Sequence, residues 1–263
     1  MANRRLGPAA ALVGAALAIS WLCVAPAAQA KTTAAEAKQI AVLEKQLDDA
    51  EAQLSIAEDV SAIKKLQREY GFFLDKGLWE DLSQLFTDDA RADYPAGVYI
   101  GKASIREHIW RNVGDGTIGL RDGRIYNHMV LQPVVDLAAD GKSAKGRWRV
   151  LAMIGRLAGA DGKTPGQANW AGGVYENTYV KDNGVWKIKD LRYYDDFSSG
   201  YEGGWAKVTP VKPGEAPAPP APRRFALAKA PDEPHTAACP GYPNACIQPF
   251  HYANPVTGRE TKP

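Results

Sequence analysis

Residues 60–93 read VSAIKKLQREYGFFLDKGLWEDLSQLFTDDARAD, from Val60 to Asp93. Apolar side chains at Val60, Ile63, Leu66, Tyr70 and Phe73 recur at helical spacing, so the stretch is expected to open as a helix with one buried face. Asp75-Lys76-Gly77 breaks that helix, and Gly77 suits the left-handed position beyond its last turn. Trp79, Leu82 and Phe86 share one side of a second, shorter helix, and Thr87-Asp88-Asp89 turns the chain into a strand. Asp75 follows Tyr70, Phe72 and Phe73 closely. A carboxylate at a helix end serves as a solvated cap, or it is held against apolar walls, where its proton affinity rises and suits acid–base chemistry. On this stretch alone, capping accounts for Asp75.

Beyond it the periodicity changes from 3.6 to 2. Short strands are expected at Ala90–Tyr94 and Val98–Ile100, joined by Pro95-Ala96-Gly97. Gly101-Lys102-Ala103-Ser104 opens a helix through Ile105, Ile109 and Trp110. A Gly-rich loop, Asp115 to Gly123, precedes long strands at Ile125–Leu137 and Ala144–Leu157. Gly172–Lys181 and Val185–Tyr194 form a hairpin about Asp182-Asn183-Gly184. Helices followed by antiparallel strands with tight turns specify an α+β domain, its helices packed on one face of a curved sheet.

Two appendages flank this core. Residues 1–30 have the layout of a secretory signal: Arg4 and Arg5, an apolar run from Ala9 to Val24, and Ala28-Gln29-Ala30 as a cleavage site. The apolar run is short for a membrane span, so a periplasmic or secreted chain without stable membrane insertion is expected. Residues 31–58 form a helical extension, with Leu43, Leu47, Ala50, Leu54 and Ala57 stepping by four and three as in a heptad seam. The core domain is assigned to residues 59–205. Residues 206–263 form a Pro-rich, irregular tail, a linker or a surface strap. In an exported chain, Cys239 and Cys246 in CPGYPNAC are expected to form a disulfide that closes a small loop.

Composition excludes several functions. The chain has 32 Lys and Arg; less Arg4 and Arg5, these balance the 30 Asp and Glu, which leaves no electrostatic footprint for nucleic acid. The sequence contains no HxxxH, CxxC, Walker or GxSxG pattern. No metal and no cofactor is therefore expected. Asp88-Asp89 and Asp195-Asp196 are expected in turns as solvated caps, and Arg106, His108, Arg124 and Arg147 on the surface.

The helix–Asp–Lys–Gly–x–Trp passage, the LFTDDA turn, the Gly-Lys-x-x-Ile helix start, the Asn127-His128 strand start and the NGVWKI hairpin occur in one order. In that order they resemble the NTF2-like superfamily, in its SnoaL-like and scytalone dehydratase-like branch. The resemblance covers about Asp59 to Tyr194. It implies a cone-shaped α+β barrel in which a curved antiparallel sheet wraps a long helix around one deep, mostly apolar pocket. It further implies that Asp75 orients the strand histidine His128, and that Tyr94 polarises a substrate oxygen. The second tyrosine of that pattern falls on Leu74, and its second histidine near Gly146.

On this basis a catalytic set of Asp75, His128 and Tyr94 is expected, with Tyr70, Trp110, Tyr175 and Asn177 as binding residues. The implied function is a cofactor-independent lyase, a dehydratase or a related elimination or retro-aldol enzyme, acting on a small aromatic or polyketide-like compound. A ketosteroid-type isomerase would use the same residues. A non-catalytic binder of small hydrophobic ligands is the alternative from another class. The heptad seam and the habit of the resembled superfamily imply a homodimer through the open sheet face, assisted by the helix at Leu43–Leu54.

Overall fold

The computed structural model describes residues 33–120, 123–158, 165–203, 228–236, 250–253, 255, 257 and 260. The expected signal (1–30) and both Cys239 and Cys246 lie outside these residues. The chain divides into two units, residues 1–48 and 49–263.

In the first unit the described residues open helix α1 (Ala34–Lys76). Thr33 and Glu36 form a reciprocal capping box: the Thr33 N–H donates to Glu36 Oε2 at 2.7 Å, and the Glu36 N–H to Thr33 Oγ1 at 3.3 Å. Ile40, Val42, Leu43 and Leu47 are exposed. Helix α1 runs on without a break past residue 58, because no Gly or Pro interrupts the sequence there.

In the second unit α1 buries Ile63, Leu66, Gln67, Tyr70 and Leu74, the side of the helix that the 60–93 pattern marks. It stops at Gly77, which adopts φ 66°. Leu78 N–H donates to Phe73 O and Gly77 N–H to Leu74 O, the bond pair of a Schellman cap. A Cβ at Gly77 would also lie 2.6 Å from the Gly119 carbonyl. Helix α2 (Trp79–Gln84) leads into β1 (Phe86–Tyr94) and β2 (Gly97–Ile100), and α3 (Lys102–His108) runs on into a π-helical turn, Ile109–Val113. The long strands are β3 (Arg124–Leu137), β4 (Ser143–Arg156), β5 (Gln167–Asp182) and β6 (Val185–Gly200).

The strands form one curved sheet in the order β2-β1-β6-β5-β4-β3, with β2 and β3 as edges. Neighbours are antiparallel except β1 and β6, which are parallel. The core lies between α1 and the concave face. Within it a polar cluster ties helix to sheet: Trp148 Nε1 donates to Tyr179 Oη at 2.8 Å, and Tyr179 Oη and Asn177 Nδ2 both donate to Gln67 Oε1, at 2.7 and 3.0 Å. Buried polar groups persist only when they find such partners.

Strands β5 and β6 run longer than the sequence pattern indicates. A register shift where Gly172-Gly173 faces Phe197 and Asp195, and another between Thr178 and Tyr179, blur the two-residue alternation there. As a result Asp195-Asp196 lies inside β6 rather than in a turn. Asp88-Asp89 likewise belongs to β1, where Lys102 and Lys189 pair with the two carboxylates. No helix among the described residues is long and apolar enough to cross a membrane.

The tail segment 228–236 docks on the edge strand. Glu233 pairs with Val98 across an antiparallel bridge. Asp232 accepts from Ile100 N–H at 2.8 Å and from the Ser104 hydroxyl. Asp93, fully buried, receives His235 Nδ1 at 2.7 Å and the Thr236 hydroxyl. The segment thereby covers main-chain groups that an edge strand would otherwise leave open.

Candidate active site

Alternation along the strands sets the site. In β3, Tyr126 and His128 are two residues apart and face the helix side of the sheet; Tyr193 and Asp195 do so from β6. With Tyr70 of α1, Tyr94 at the end of β1 and Tyr175 of β5, they line a cavity of about 570 Å³. Gly173 makes room for this wall: a Cβ there would stand 2.5 Å from the Tyr193 hydroxyl.

The phenols are hydrogen-bonded to one another and to the imidazole. Tyr70 Oη and Tyr94 Oη are 3.0 Å apart, and His128 Nε2 lies 2.9 Å from Tyr175 Oη. The Tyr70 and Tyr175 rings meet edge to face at 5.7 Å. Burial raises the proton affinity of Tyr70, Tyr94, Tyr126, Tyr175 and Tyr193 above that of an ordinary phenol, so all stay neutral donors. Burial acts in the opposite direction on the imidazole. His128 is pushed down to about 4 and is therefore neutral at physiological pH. Its Nδ1 is buried with no hydrogen-bond partner among the described residues.

The structure separates the expected residues. His128, Tyr94, Tyr70 and Tyr175 come together around the cavity. Asp75 does not line it. Its Oδ1 accepts the main-chain N–H of His128 at 2.6 Å, and it makes no contact with the ring nitrogens. The expected carboxylate–imidazole pair is thus corrected to a carboxylate–backbone pair. The end of α1 reaches β3 at main-chain level, while the His128 side chain turns inward to Tyr175. Partial burial raises the Asp75 pKa; the His128 N–H and Lys76 oppose that rise.

Trp110 and Asn177 lie outside the cavity. Trp110 sits in the π-helical turn, whose extra residue changes the helical phase, and its ring stacks beside the guanidinium groups of Arg106 and Arg111. Asn177 is taken up by the Gln67–Tyr179 cluster, and its Oδ1 accepts from Arg192 N–H at 3.3 Å. His108, expected on the surface, is buried against Tyr99 at 3.8 Å between ring centroids, with Tyr94 beyond.

Tyr126 and Tyr193 in the cavity wall were not anticipated, and neither were two charged cavity residues, Asp195 and Arg156. Asp195 is pushed up to about 6, chiefly by burial and further by Asp196, while His235 and the Tyr193 hydroxyl act against the rise. Arg156 closes β4 in phase with Trp148 and Ala152, a signal present in the alternation of that strand. The tail contributes Ala228 to the lining. Next to it, Asn112 is clamped to Lys229 by two hydrogen bonds, Nδ2 to Lys229 O at 2.9 Å and Lys229 N–H to Oδ1 at 3.0 Å. Among the described residues no group of three His, Cys, Asp or Glu side chains is placed to hold a metal ion.

A SnoaL-like domain matches residues 55–192, more than half of the chain. The chain belongs to the SnoaL-like family. The fold is similar to the crystal structure of a putative scytalone dehydratase from Novosphingobium aromaticivorans DSM 12444, at 23% identity over 57% of this chain and 91% of that chain, with a TM-score of 0.47. It is also similar to hexachlorocyclohexane dehydrochlorinase LinA-type3 from Novosphingobium barchaimii LL02, at 19% identity over 61% of this chain and 99% of that chain, with a TM-score of 0.48. No curated protein is similar enough to match. Likeness at this level concerns the fold, and one SnoaL-like fold carries unrelated reactions. The chemistry of this member has to be argued from its own cavity.

Proposed function

We propose that this SnoaL-like protein is a cofactor-independent lyase that eliminates a small group, as in a dehydration, from a small aromatic or polyketide-like compound. The observation that carries this reading is His128: a neutral imidazole, buried in a tyrosine-walled cavity, with Nε2 held by a phenol. With Tyr175 as donor, Nε2 is the unprotonated ring nitrogen, and a substrate that displaces the Tyr175 hydroxyl from it meets the lone pair, so the ring serves as the base.

In a dehydration, Nε2 takes the proton from the carbon next to a substrate carbonyl. The Tyr94 hydroxyl, backed by Tyr70, donates to the carbonyl oxygen as negative charge collects there. The carbon–oxygen bond of the β-hydroxyl then breaks as the double bond forms. The imidazolium returns its proton to the leaving hydroxide, so an alkene and water are released and the base is restored. Asp75 acts as a positioning residue, fixing the His128 main chain. With the export signal expected at residues 1–30, this reading puts the reaction outside the cytoplasm.

The test is incubation of purified protein with a panel of aromatic β-hydroxy ketones, followed by mass spectrometry. Loss of water is expected from at least one compound, with a fall of about 10²–10⁴-fold in His128→Ala. Saturable binding with no mass change across the panel would favour the non-catalytic binder. A product of unchanged mass with a shifted double bond would favour the isomerase.

A further inference from the structure

We propose that Arg156 receives a carboxylate, so that the natural ligand of the cavity is a small aromatic acid, its ring at the tyrosine end and its anionic group at the Arg156 end. This names the substrate class of the lyase proposed above, but the carboxylate contact itself is a binding property that does not depend on turnover.

Arg111 is paired with Glu107 at 2.5 Å, and Asp115 with Arg124 at 3.0 Å. Arg124 is further held by the Val113 carbonyl at 2.6 Å. Asp195 stands in the row of Gly173 and Val150, bonded to Tyr193. Arg156 stands six residues farther along β4, about 20 Å at the rise of an extended strand, so Asp195 does not serve it. Arg156 makes no ion pair among the described residues, and its Nε is buried without a hydrogen-bond partner. Its cross-strand neighbours are Arg124, a second cation, and the neutral Gln167.

A guanidinium N–H withdrawn from water with no acceptor is unfavourable. A ligand carboxylate removes that cost, because Nε–H and an Nη–H lie parallel and match its two oxygens. The position suits a small molecule. His128 pairs with Ala152, four residues from Arg156, which sets the two rows about 13 Å apart at the backbone. Arg156 and His128 line the same cavity, and their side chains shorten that separation to a span that one aromatic ring with a short acidic arm can bridge. The tyrosine walls supply the ring surface.

Cinnamate and the uncharged isostere cinnamamide are the probes, titrated into the full protein and into Arg156→Gln and Arg156→Lys by calorimetry. The native protein is expected to bind the acid about 10- to 100-fold more tightly than the amide, the range of a charge-assisted hydrogen-bonded pair. Arg156→Gln should reduce the acid to the affinity of the amide and leave the amide unchanged. Arg156→Lys, which keeps the charge but not the fork, should retain part of the preference. The amide titration also reports whether each variant keeps an intact cavity. Equal affinities in the native protein, no saturable binding of the acid at millimolar concentration, or a preference that survives Arg156→Gln would each overturn the proposal. A preference for the acid without water loss from any hydroxy ketone would sustain the carboxylate site and count against the lyase instead.

Discussion

The carboxylate of Asp75 holds the main-chain N–H of His128 at 2.6 Å, while the imidazole of His128 is committed to Tyr175. Charge at residue 75 therefore bears on where the strand lies more than on the titration of the ring. Asp75→Asn keeps an oxygen acceptor. Burial raises the proton affinity of the carboxyl, against the His128 N–H and Lys76, so the charge is penalised in the fold relative to the unfolded chain. The Asn variant is expected to be no less stable at neutral pH, with His128 titrating as before. Asp75→Ala strands a part-buried N–H and should cost about 1–3 kcal/mol in denaturant unfolding. A His128 titration displaced by a full unit in Asp75→Asn would show that the carboxylate acts on the ring after all.

His128 itself sets an acid limit. In the unfolded chain it titrates near its ordinary value of about 6.5, and in the fold at about 4. Between these values the unfolded state binds a proton that the native state refuses, so stability falls as the pH drops through this window. The loss is on the order of 3 kcal/mol when complete. His128→Gln should remove most of that slope, measured as the denaturant midpoint at several pH values. The base also stays deprotonated across neutral pH. Elimination activity should accordingly hold through pH 6 and decline only on approach to about 4. A rate that halves near pH 6.5 would place the His128 pKa at its unperturbed value.

Asp195 produces the opposite slope. Its carboxyl is held at about 6 by burial, whereas the unfolded carboxyl titrates near 4. Across that interval the native state keeps a proton that the unfolded chain has released, so stability declines as the pH rises. Asp195→Asn should therefore be more stable than the native protein at neutral pH, by on the order of 1–3 kcal/mol, and indistinguishable from it near pH 4. Thermal melts at the two ends of the interval decide this. An Asn variant that is less stable at neutral pH would mean the ionised carboxylate is needed by the fold.

Local chemistry made some of this legible in the sequence and hid the rest. Gly77 could be assigned its left-handed cap because helix stops depend on a few adjacent residues. The buried stripe of α1 followed from periodicity in the same way, whereas Tyr94 was reached through the family resemblance. Asp195 was obscured because the bulge where Gly172-Gly173 faces Asp195 and Phe197 lies beyond the point where alternation in β6 is readable. Trp110 was misplaced because a π-helical turn advances the helix phase by a residue, which a 3.6-residue pattern does not reveal. The order of elements brings Asp75 and His128 together, but the choice between main chain and imidazole is made by a few ångströms of tertiary packing. The clasp between tail and core joins residues more than a hundred positions apart and has no local signature at all.

That clasp supplies a test of the tail. Asp93 is fully buried, and His235 Nδ1, the Thr236 hydroxyl and main-chain N–H, and Arg91, at 3.7 Å, surround its carboxylate. Removing the partners of a buried carboxylate leaves its charge uncompensated, which costs about 3–5 kcal/mol. His235→Ala combined with Thr236→Val is expected to cost a large part of that figure, with Arg91 and the main-chain N–H of residue 236 left on the carboxylate. His235→Ala alone should lose less, because Thr236 and Arg91 remain. With Asp93→Asn already in place, the same two substitutions should cost far less, since no charge is left to compensate. The coupling in this double-mutant cycle measures the clasp apart from any packing loss. The same contacts keep 228–236 on the edge of β2 and Ala228 at the cavity. Cleavage by a protease between Ala228 and Thr236 should therefore quicken in the double variant, while cleavage within β4 and β5 does not. If stability and cleavage both match the native protein, the tail does not clasp Asp93 in solution.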